Sequence, residues 1–361
     1  MSASFLKGYV SVESKNLLIA SGFSLFRLTR LHRIAAPFTR GLGAILMFHR
    51  VRPAAAEPFS PNGLLEITPE FFDAVLTRLK ALGFAILSLD DAVARLRENR
   101  AGGQQPFAVL TFDDGTRDTR DFALPVLERH QAPFTMFVTT GFAERSARLW
   151  WVELEEAIRH LPQIAIDIEG EAVNLPATST AEKTAAFNLL YRRLVAGPED
   201  LMLDVIGRLM AKAGLEPAAL VDAICLDWNG IETMARHPLC TIGVHTLTHA
   251  RLAKHGEELV RRELSESRQI IESRIGKPAR HLAYPVGDPA SAGAREFAIA
   301  EELGFASSVT TRPGMIFPQH AMQMQALPRL SINGNWQSLD AVEILLSGAP
   351  FALWNLAKKV A

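Results

Sequence analysis

The run Phe107-Ala108-Val109-Leu110-Thr111-Phe112 is apolar but for one threonine and stops at Asp113-Asp114-Gly115. Its shortness and its Val, Thr and Phe content suit a buried strand. A second run, Cys240-Thr241-Ile242-Gly243-Val244, leads into His245-Thr246-Leu247-Thr248-His249. Two ionised carboxylates side by side at a buried strand end repel each other unless a cation or a shared proton relieves them. One Asp plus two His is a three-ligand set for a catalytic divalent metal with an open position. The other Asp is then a candidate general base. The plainer reading of Asp113-Asp114-Gly115 alone is a turn; a His-x-x-x-His pair alone is weak evidence of anything.

Other strand-like runs surround these two: Ala44–Val51, Phe84–Leu89, Phe134–Thr139, His281–Tyr284, Phe305–Thr310 and Leu327–Ile332. Helical stretches separate them. Thr68-Pro69-Glu70 reads as a helix start, with Thr as N-cap and Pro in the first position. Phe71, Phe72, Val75, Leu79 and Leu82 form the apolar stripe that follows. Asp90 is expected to cap a helix through Leu96, and Arg117–His130 reads as helical despite Pro125. Gly256–Ile275, Ala292–Leu303 and Leu339–Lys359 complete the helices of this pattern. Alternating strands and helices imply a parallel sheet, open or closed.

From Glu144 to Leu226 the alternation lapses. Trp150, Trp151, Leu154 and Ile158 make a helical stripe, Ile164–Val173 reads as a hairpin around Glu169-Gly170, and three more helical segments follow. With 361 residues, 48% of them hydrophobic, one large domain carrying an insertion fits better than three domains. Lys plus Arg, 38, nearly balance Asp plus Glu, 39, which offers nothing to a nucleic-acid partner. Cys225 and Cys240 are the two cysteines, too few for a disulfide framework.

In parallel α/β barrels the catalytic groups sit at the C-terminal strand ends. His49, Asp113-Asp114, His245-His249, Pro285 and Arg329 all fall at or near such ends. Tyr284-Pro285-Val286-Gly287 is either a simple turn or a backbone N–H aimed at a developing oxyanion. Arg329 is a partner for the Asp pair or a surface residue. Trp336 stacks on a sugar ring or packs as core or lid.

Asn16–Phe38 is apolar but interrupted by Arg27, Arg30, His32 and Arg33. It lacks the roughly 18 unbroken apolar residues of a spanning helix and the ordered parts of a signal peptide. On one helix the three arginines share a face. Such a helix lies on an anionic membrane or packs on the domain with a solvated Arg edge. The expected location is cytoplasmic, either free or at the inner face of the membrane.

Thr111–Gly115 and His245–His249 resemble the first two signature motifs of the polysaccharide deacetylases, carbohydrate esterase family four of the nodulation-protein-B type. Ala283-Tyr284-Pro285-Val286-Gly287 is similar to a degenerate third motif. The resemblance spans roughly 44–142 and 226–332. It implies a distorted (β/α) barrel, in α/β class, and metal-dependent removal of N-acetyl groups from amino sugars of chitooligosaccharide, peptidoglycan or exopolysaccharide type. Asp113 would be the general base, Asp114, His245 and His249 the metal ligands, and Val286 the oxyanion donor. Apart from the resemblance, Tyr284, Pro285, Arg329 and Trp336 are further candidates for the oxyanion and substrate site. An Asp-His-His set suits Zn²⁺, with Co²⁺, Ni²⁺ or Mn²⁺ also compatible.

The chain departs from the family pattern in three places. The usual Arg of the third motif falls near Ala283, so Arg329 is the candidate to orient the base. Val286 replaces an aromatic wall. The Leu-x-x-His segment that carries the general acid is missing near Leu327–Asn335, but Leu46-Met47-Phe48-His49 has that shape, as in circularly permuted members; His49 is the candidate acid. The expected organisation is an N-terminal amphipathic helical segment over 1–43, a barrel over 44–143 and 227–335, a helical insertion over 144–226 and a helical tail over 336–361. Two rivals remain: a non-catalytic carbohydrate binder on a degenerate barrel, and a metal hydrolase of another amide or ester.

Overall fold

The computed structural model describes residues 22–54, 57–98 and 105–354. Eight parallel strands run in chain order: β1 (Gly43–Phe48), β2 (Ala85–Leu87), β3 (Phe107–Phe112), β4 (Phe134–Val138), β5 (Cys240–Val244), β6 (His281–Ala283), β7 (Ser307–Pro313) and β8 (Leu327–Ser331). Each of β3 to β7 pairs with the next, and β8 pairs with β1 through Leu46↔Leu330 and Met47↔Ser331. β1 also pairs with β3 over its whole length, from Gly43↔Phe107 to Phe48↔Phe112. The ring therefore closes as a seven-stranded parallel barrel. β2 stands outside the ring against the first half of β3, while β4 takes the second half of the same edge. This is the (β/α) barrel that the motifs implied, distorted by one displaced strand.

Strand alternation divides the core into two layers. Ala44, Leu46 and Phe48 of β1, with Ala108, Leu110 and Phe112 of β3, face outward onto the helices. Ile45, Phe107, Val109, Phe137, Ala283, Val309 and Leu327 face inward. The helix Leu89–Arg97 follows β2 and closes the bottom of the barrel with Leu89, Val93 and Leu96. Its cap is Ser88, whose Oγ accepts from Asp91 N at 3.1 Å, and not Asp90, which lies in the first turn. The helix Pro69–Ala81 starts as its sequence predicts, with the Thr68 hydroxyl accepting from Phe71 N at 3.1 Å. Pro125 splits the next helix: a π-turn over Thr119–Ala123 precedes the α-helix Leu124–His130.

Between β4 and β5 the chain leaves the barrel and builds a second core. Helices Trp150–His160, Thr180–Ala196, Glu199–Ala213 and Pro217–Ile224 surround a hairpin of Gln163–Ile168 and Glu171–Pro176. Glu169 and Gly170 both have positive φ at the tip, 57° and 85°, as a two-residue hairpin turn demands. Trp150, Leu154, Ile158, Leu190, Ile206 and Leu209 fill this core.

The N-terminal segment differs from the single amphipathic helix expected. Residues 22–29 are helical, Arg30 takes a left-handed φ of 53°, and a second helix, α1 (Leu31–Thr39), follows. Arg27, Arg30 and Arg33 therefore do not share one continuous helical face. The expected contact segment also includes 16–21, which lie outside the described residues. At the other end the tail is two helices, Leu339–Leu346 and Ala349–Trp354, broken at Gly348 with φ 74°; 355–361 lie outside the described residues.

Candidate active site

The inward-facing positions of β3 continue through Thr111 to Asp113, at the C-terminal end of the barrel. Arg329 reaches Asp113 from the inner face of β8. Its Nη1 donates to Asp113 Oδ1 and its Nη2 to Oδ2, both at 2.8 Å. Nε donates to the Thr310 carbonyl at 2.9 Å, and Nη1 also reaches Thr111 Oγ1 at 3.2 Å. A planar guanidinium facing a carboxylate fork to fork fixes both orientation and charge. Burial alone would raise the Asp113 pKa; the Arg329 guanidinium, with His245 and His49 nearby, outweighs it and holds the carboxyl below its ordinary value.

Asp114, His245 and His249 converge beside it. Among the described residues they form a group whose donor atoms all lie within 4.8 Å of one another, and all three are buried. The Nε2 atoms of His245 and His249 stand 3.5 and 3.4 Å from Asp114 Oδ1. That oxygen is buried without a hydrogen-bond partner, a costly state for a carboxylate. A tetrahedral ion with bonds of about 2.1 Å places its donor atoms about 3.4 Å apart. The three residues therefore fit a divalent cation, which would satisfy the orphaned oxygen.

The imidazoles are aimed by their surroundings. His245 Nδ1 lies 2.7 Å from the Ala283 carbonyl, which selects the tautomer that turns an unprotonated Nε2 toward Asp114. His249 lies between Trp151, 4.8 Å between ring centroids, and Phe142, at 5.7 Å. Burial there pushes its pKa down to about 3 despite Asp114, so the ring is neutral and available as a ligand. For His245, burial is the largest influence and lowers the pKa, but Asp114 and Asp113 outweigh it and raise the value.

Several residues that hold this geometry escaped the sequence reading. Glu263 accepts from Leu247 N at 2.9 Å, Thr248 N at 3.0 Å and Thr248 Oγ1 at 2.8 Å, so it braces the loop between the two histidines. Its signal was present: Glu263 is a charge on the buried stripe Val260, Leu264, Ser267 and Ile271 of the helix Glu257–Ile275. Gly141 donates to the Leu247 carbonyl at 2.8 Å, and a Cβ at Gly141 would meet that oxygen at 2.5 Å. Trp151 belongs to the insertion and reaches the site only through tertiary packing. Arg251 ties the same loop to the insertion: its backbone N–H faces Glu199 Oε2 at 3.3 Å, and Nη1 donates to the Val195 carbonyl.

Backbone strain marks the same places. Eight described non-glycine residues have positive φ, and four of them are Asp114 at 71°, Thr246 at 67°, His249 at 62° and Val286 at 60°. For β-branched Thr and Val this region is costly, on the order of 1–3 kcal/mol each. Strain of that kind persists where a site over-determines the backbone.

The remaining candidates separate. His49 follows β1, and its Nε2 lies 4.0 Å from Asp113 Oδ2. The next residue, Arg50, is anchored to Asp118 at 2.6 Å and Glu66 at 3.2 Å, which fixes the backbone there. Val286 sits in the left-handed turn after Pro285, with its carbonyl taken by Thr311 Oγ1 at 2.7 Å. Tyr284 is not a substrate contact: its ring is fully buried in the outer core, and its hydroxyl donates to the Gln325 carbonyl at 3.0 Å. Trp336 is half-buried and packs edge-on against Phe23, centroids 5.1 Å apart, a contact of the kind its packing reading expects.

A family model described as polysaccharide deacetylase matches residues 100–307, more than half of the chain. The chain belongs to the polysaccharide deacetylase family. It is thus a hydrolase acting on carbon–nitrogen bonds other than peptide bonds. Solved structures share the fold of this deacetylase at low identity. A Streptococcus pyogenes deacetylase, PplD, in complex with acetate, matches with a TM-score of 0.56 and 18% identity over 84% of this chain and 97% of its own. IcaB from Ammonifex degensii matches with a TM-score of 0.53 and 18% identity over 84% and 98%. A de-N-acetylase from Aggregatibacter actinomycetemcomitans gives 0.50 and 13% over 83% and 98%. A search of curated proteins found no match. The matched span includes Asp113, Asp114, His245, His249 and Val286 but neither His49 nor Arg329, which the barrel brings in from its first and last strands.

Proposed function

We propose that this deacetylase removes N-acetyl groups from an amino-sugar oligo- or polysaccharide of the chitooligosaccharide, peptidoglycan or exopolysaccharide type, with a divalent cation, Zn²⁺ in the first instance, held by Asp114, His245 and His249. The observation that carries the reading is the division of labour between the adjacent aspartates. Asp113 is locked in an Arg329 fork, while Asp114 Oδ1 is left unpaired opposite two Nε2 atoms. When bound, the cation supplies Lewis-acid polarisation of the amide carbonyl and acidifies water at the site.

The chain's own residues carry the proton transfers. Asp113, kept ionised by Arg329, takes the proton from the attacking water. The Val286 N–H, in its left-handed turn, is the donor for the oxyanion that develops on the acetyl carbonyl. His49, whose Nε2 stands 4.0 Å from Asp113 Oδ2, delivers a proton to the departing amine; acetate and a free amino sugar result. Trp151 and Phe142 shield His249 from water and hold its ring in place.

Acetate release from chitooligosaccharides, peptidoglycan and a poly-N-acetylglucosamine exopolysaccharide tests this directly. Activity on at least one of them is expected to vanish with a chelator and to return with Zn²⁺, Co²⁺, Ni²⁺ or Mn²⁺. Acetate release that ignores the chelator removes the cation from the proposal, and no release from any of the three removes the reaction. His49→Ala is expected to lower turnover by about 10²- to 10⁴-fold, the range for one acid–base group, with metal content unchanged. Loss of metal in that variant would make His49 a ligand instead of the acid.

A further inference from the structure

α1 is packed the wrong way round for a helix that only covers a barrel. His32 and Ala36 face inward, 6% and 4% exposed. Leu31, Ile34 and Phe38, spaced i, i+3 and i+7 on one face, point away from the protein at 51%, 70% and 81% exposed. The preceding helical residues add Leu25 and Leu28, 60% and 80% exposed, while Phe23 and Phe26 turn toward the protein. The neighbouring helix Ala349–Trp354 adds Leu353, 69% exposed. Five of the seven most exposed large hydrophobic side chains in the described residues thus lie within Leu25–Phe38. Single exposed apolar residues need no explanation, but a contiguous set of this kind marks an interaction surface.

The charges contributed by this segment are all positive, and the one acidic partner it meets among the described residues is the buried Glu343. Arg27, Arg30 and Arg33 are exposed on or beside it, and no Asp or Glu occurs between Ser14 and Ala56. Arg33 pairs with Glu343 at 3.1 Å and remains 58% exposed. A second copy of the chain would bring the same arginines together face to face, which opposes self-association. Large apolar side chains bordered by guanidinium groups complement a bilayer whose headgroups are negative and whose interior is hydrocarbon. No described helix is long and apolar enough to cross a membrane.

We infer that residues 22–38 form a peripheral docking face for an anionic lipid bilayer. Leu25, Leu28, Leu31, Ile34 and Phe38 enter the headgroup–acyl boundary, and Arg27 and Arg30 meet the lipid phosphates. Phe23 packs on Trp336, which follows β8, and Thr39 Oγ1 donates to the Ser347 carbonyl at 2.6 Å at the far end of the helix Leu339–Leu346. The docking face therefore runs along the barrel flank and starts beside the rim that carries the site. Docked this way, the enzyme would hold its cleft close to the bilayer, within reach of a saccharide that is itself attached to or emerging from a membrane. The face does not depend on the catalytic reading.

Sedimentation of the purified full-length chain with phosphatidylcholine vesicles, with and without phosphatidylglycerol, tests the inference. Binding is expected only with phosphatidylglycerol and is expected to weaken as salt is raised. Ile34→Asp and Phe38→Asp should each lower partitioning by about tenfold; Arg27→Gln and Arg30→Gln should lower it by about fivefold each. Turnover of a water-soluble chitooligosaccharide should be unchanged in all four, which separates failure of docking from failure of the deacetylase reading. Equal binding to neutral vesicles, no vesicle binding, or a concentration-dependent dimer abolished by the same substitutions would overturn the proposal. Undiminished binding in the variants would assign membrane contact to residues 1–21 and overturn it equally.

Discussion

Asp113→Asn is expected to lower kcat/KM for acetate release by about 10³-fold or more while the metal content stays that of the unsubstituted protein. Asparagine keeps the shape of the side chain but cannot accept the proton of the attacking water, and a general base contributes about 10²- to 10⁴-fold. The effect reaches beyond catalysis. Arg329 is 1% exposed, and its fork would then face a neutral amide. Removing one partner of a buried ion pair costs about 3–5 kcal/mol, so the midpoint of thermal unfolding should fall as well. Activity must therefore be measured well below that midpoint. A folded, metal-loaded Asn variant with near-normal turnover would remove Asp113 from its assigned role.

Arg329→Met is expected to separate the same pair from the other side. Methionine replaces part of the apolar stem and supplies no charge. Burial, the largest influence on Asp113, is then opposed only by His245 and His49, so the Asp113 pKa should rise from its value in the unsubstituted protein. In the unsubstituted protein the folded-state pKa lies below the unfolded value. The pair's stabilisation is therefore present above about pH 4, the ordinary carboxylate value, and is lost as pH falls through the folded-state value. In the variant this stabilisation is weakened, because only His245 and His49 still favour the ionised carboxylate against burial. The stability deficit, about 3–5 kcal/mol at neutral pH, should shrink on acidification, as denaturant titrations at several pH values would read. The acid limb of the kcat/KM profile should move to higher pH, because the base is ionised over a narrower range. Arg329→Lys restores charge but not the fork and should recover stability better than rate. An unmoved acid limb in Arg329→Met would mean that Asp113 is not the group titrating in the rate profile.

What could be read from the chain, and what could not, follows the range of the interactions. The strand runs were legible because burial on both faces of a parallel strand leaves a short apolar word, as in Phe107–Phe112 and Cys240–Val244. Thr68-Pro69 marked its helix because the cap is made within three residues. The Asp90 cap was misplaced by two residues because Ser88, Asp90 and Asp91 all offer capping oxygens in one turn, and the backbone path decides which one is used. The break at Arg30 was invisible, since nothing in a run of Leu, Arg and Thr announces a left-handed residue. Tyr284 was placed at the substrate from its position, but its ring is buried and its hydroxyl donates to the Gln325 carbonyl; Trp336 carried two readings, and its contact with Phe23 is of the packing kind.

The sequence by itself determined the chemical inventory: the Asp113-Asp114 pair, the His245 and His249 pair, their strand-end positions and the implied family. Each of these is a local word, readable because strand, turn and donor atoms lie within a few residues. The tertiary structure alone decided how the inventory is divided. Closure of β8 onto β1 brings Arg329 to Asp113 across more than two hundred residues of chain and leaves Asp114 Oδ1 to the histidines. It also sets His49 near the base, Trp151 against His249 and Glu263 behind the histidine loop. These contacts join residues far apart in the chain, and only the closure of the barrel specifies which distant side chains meet inside it.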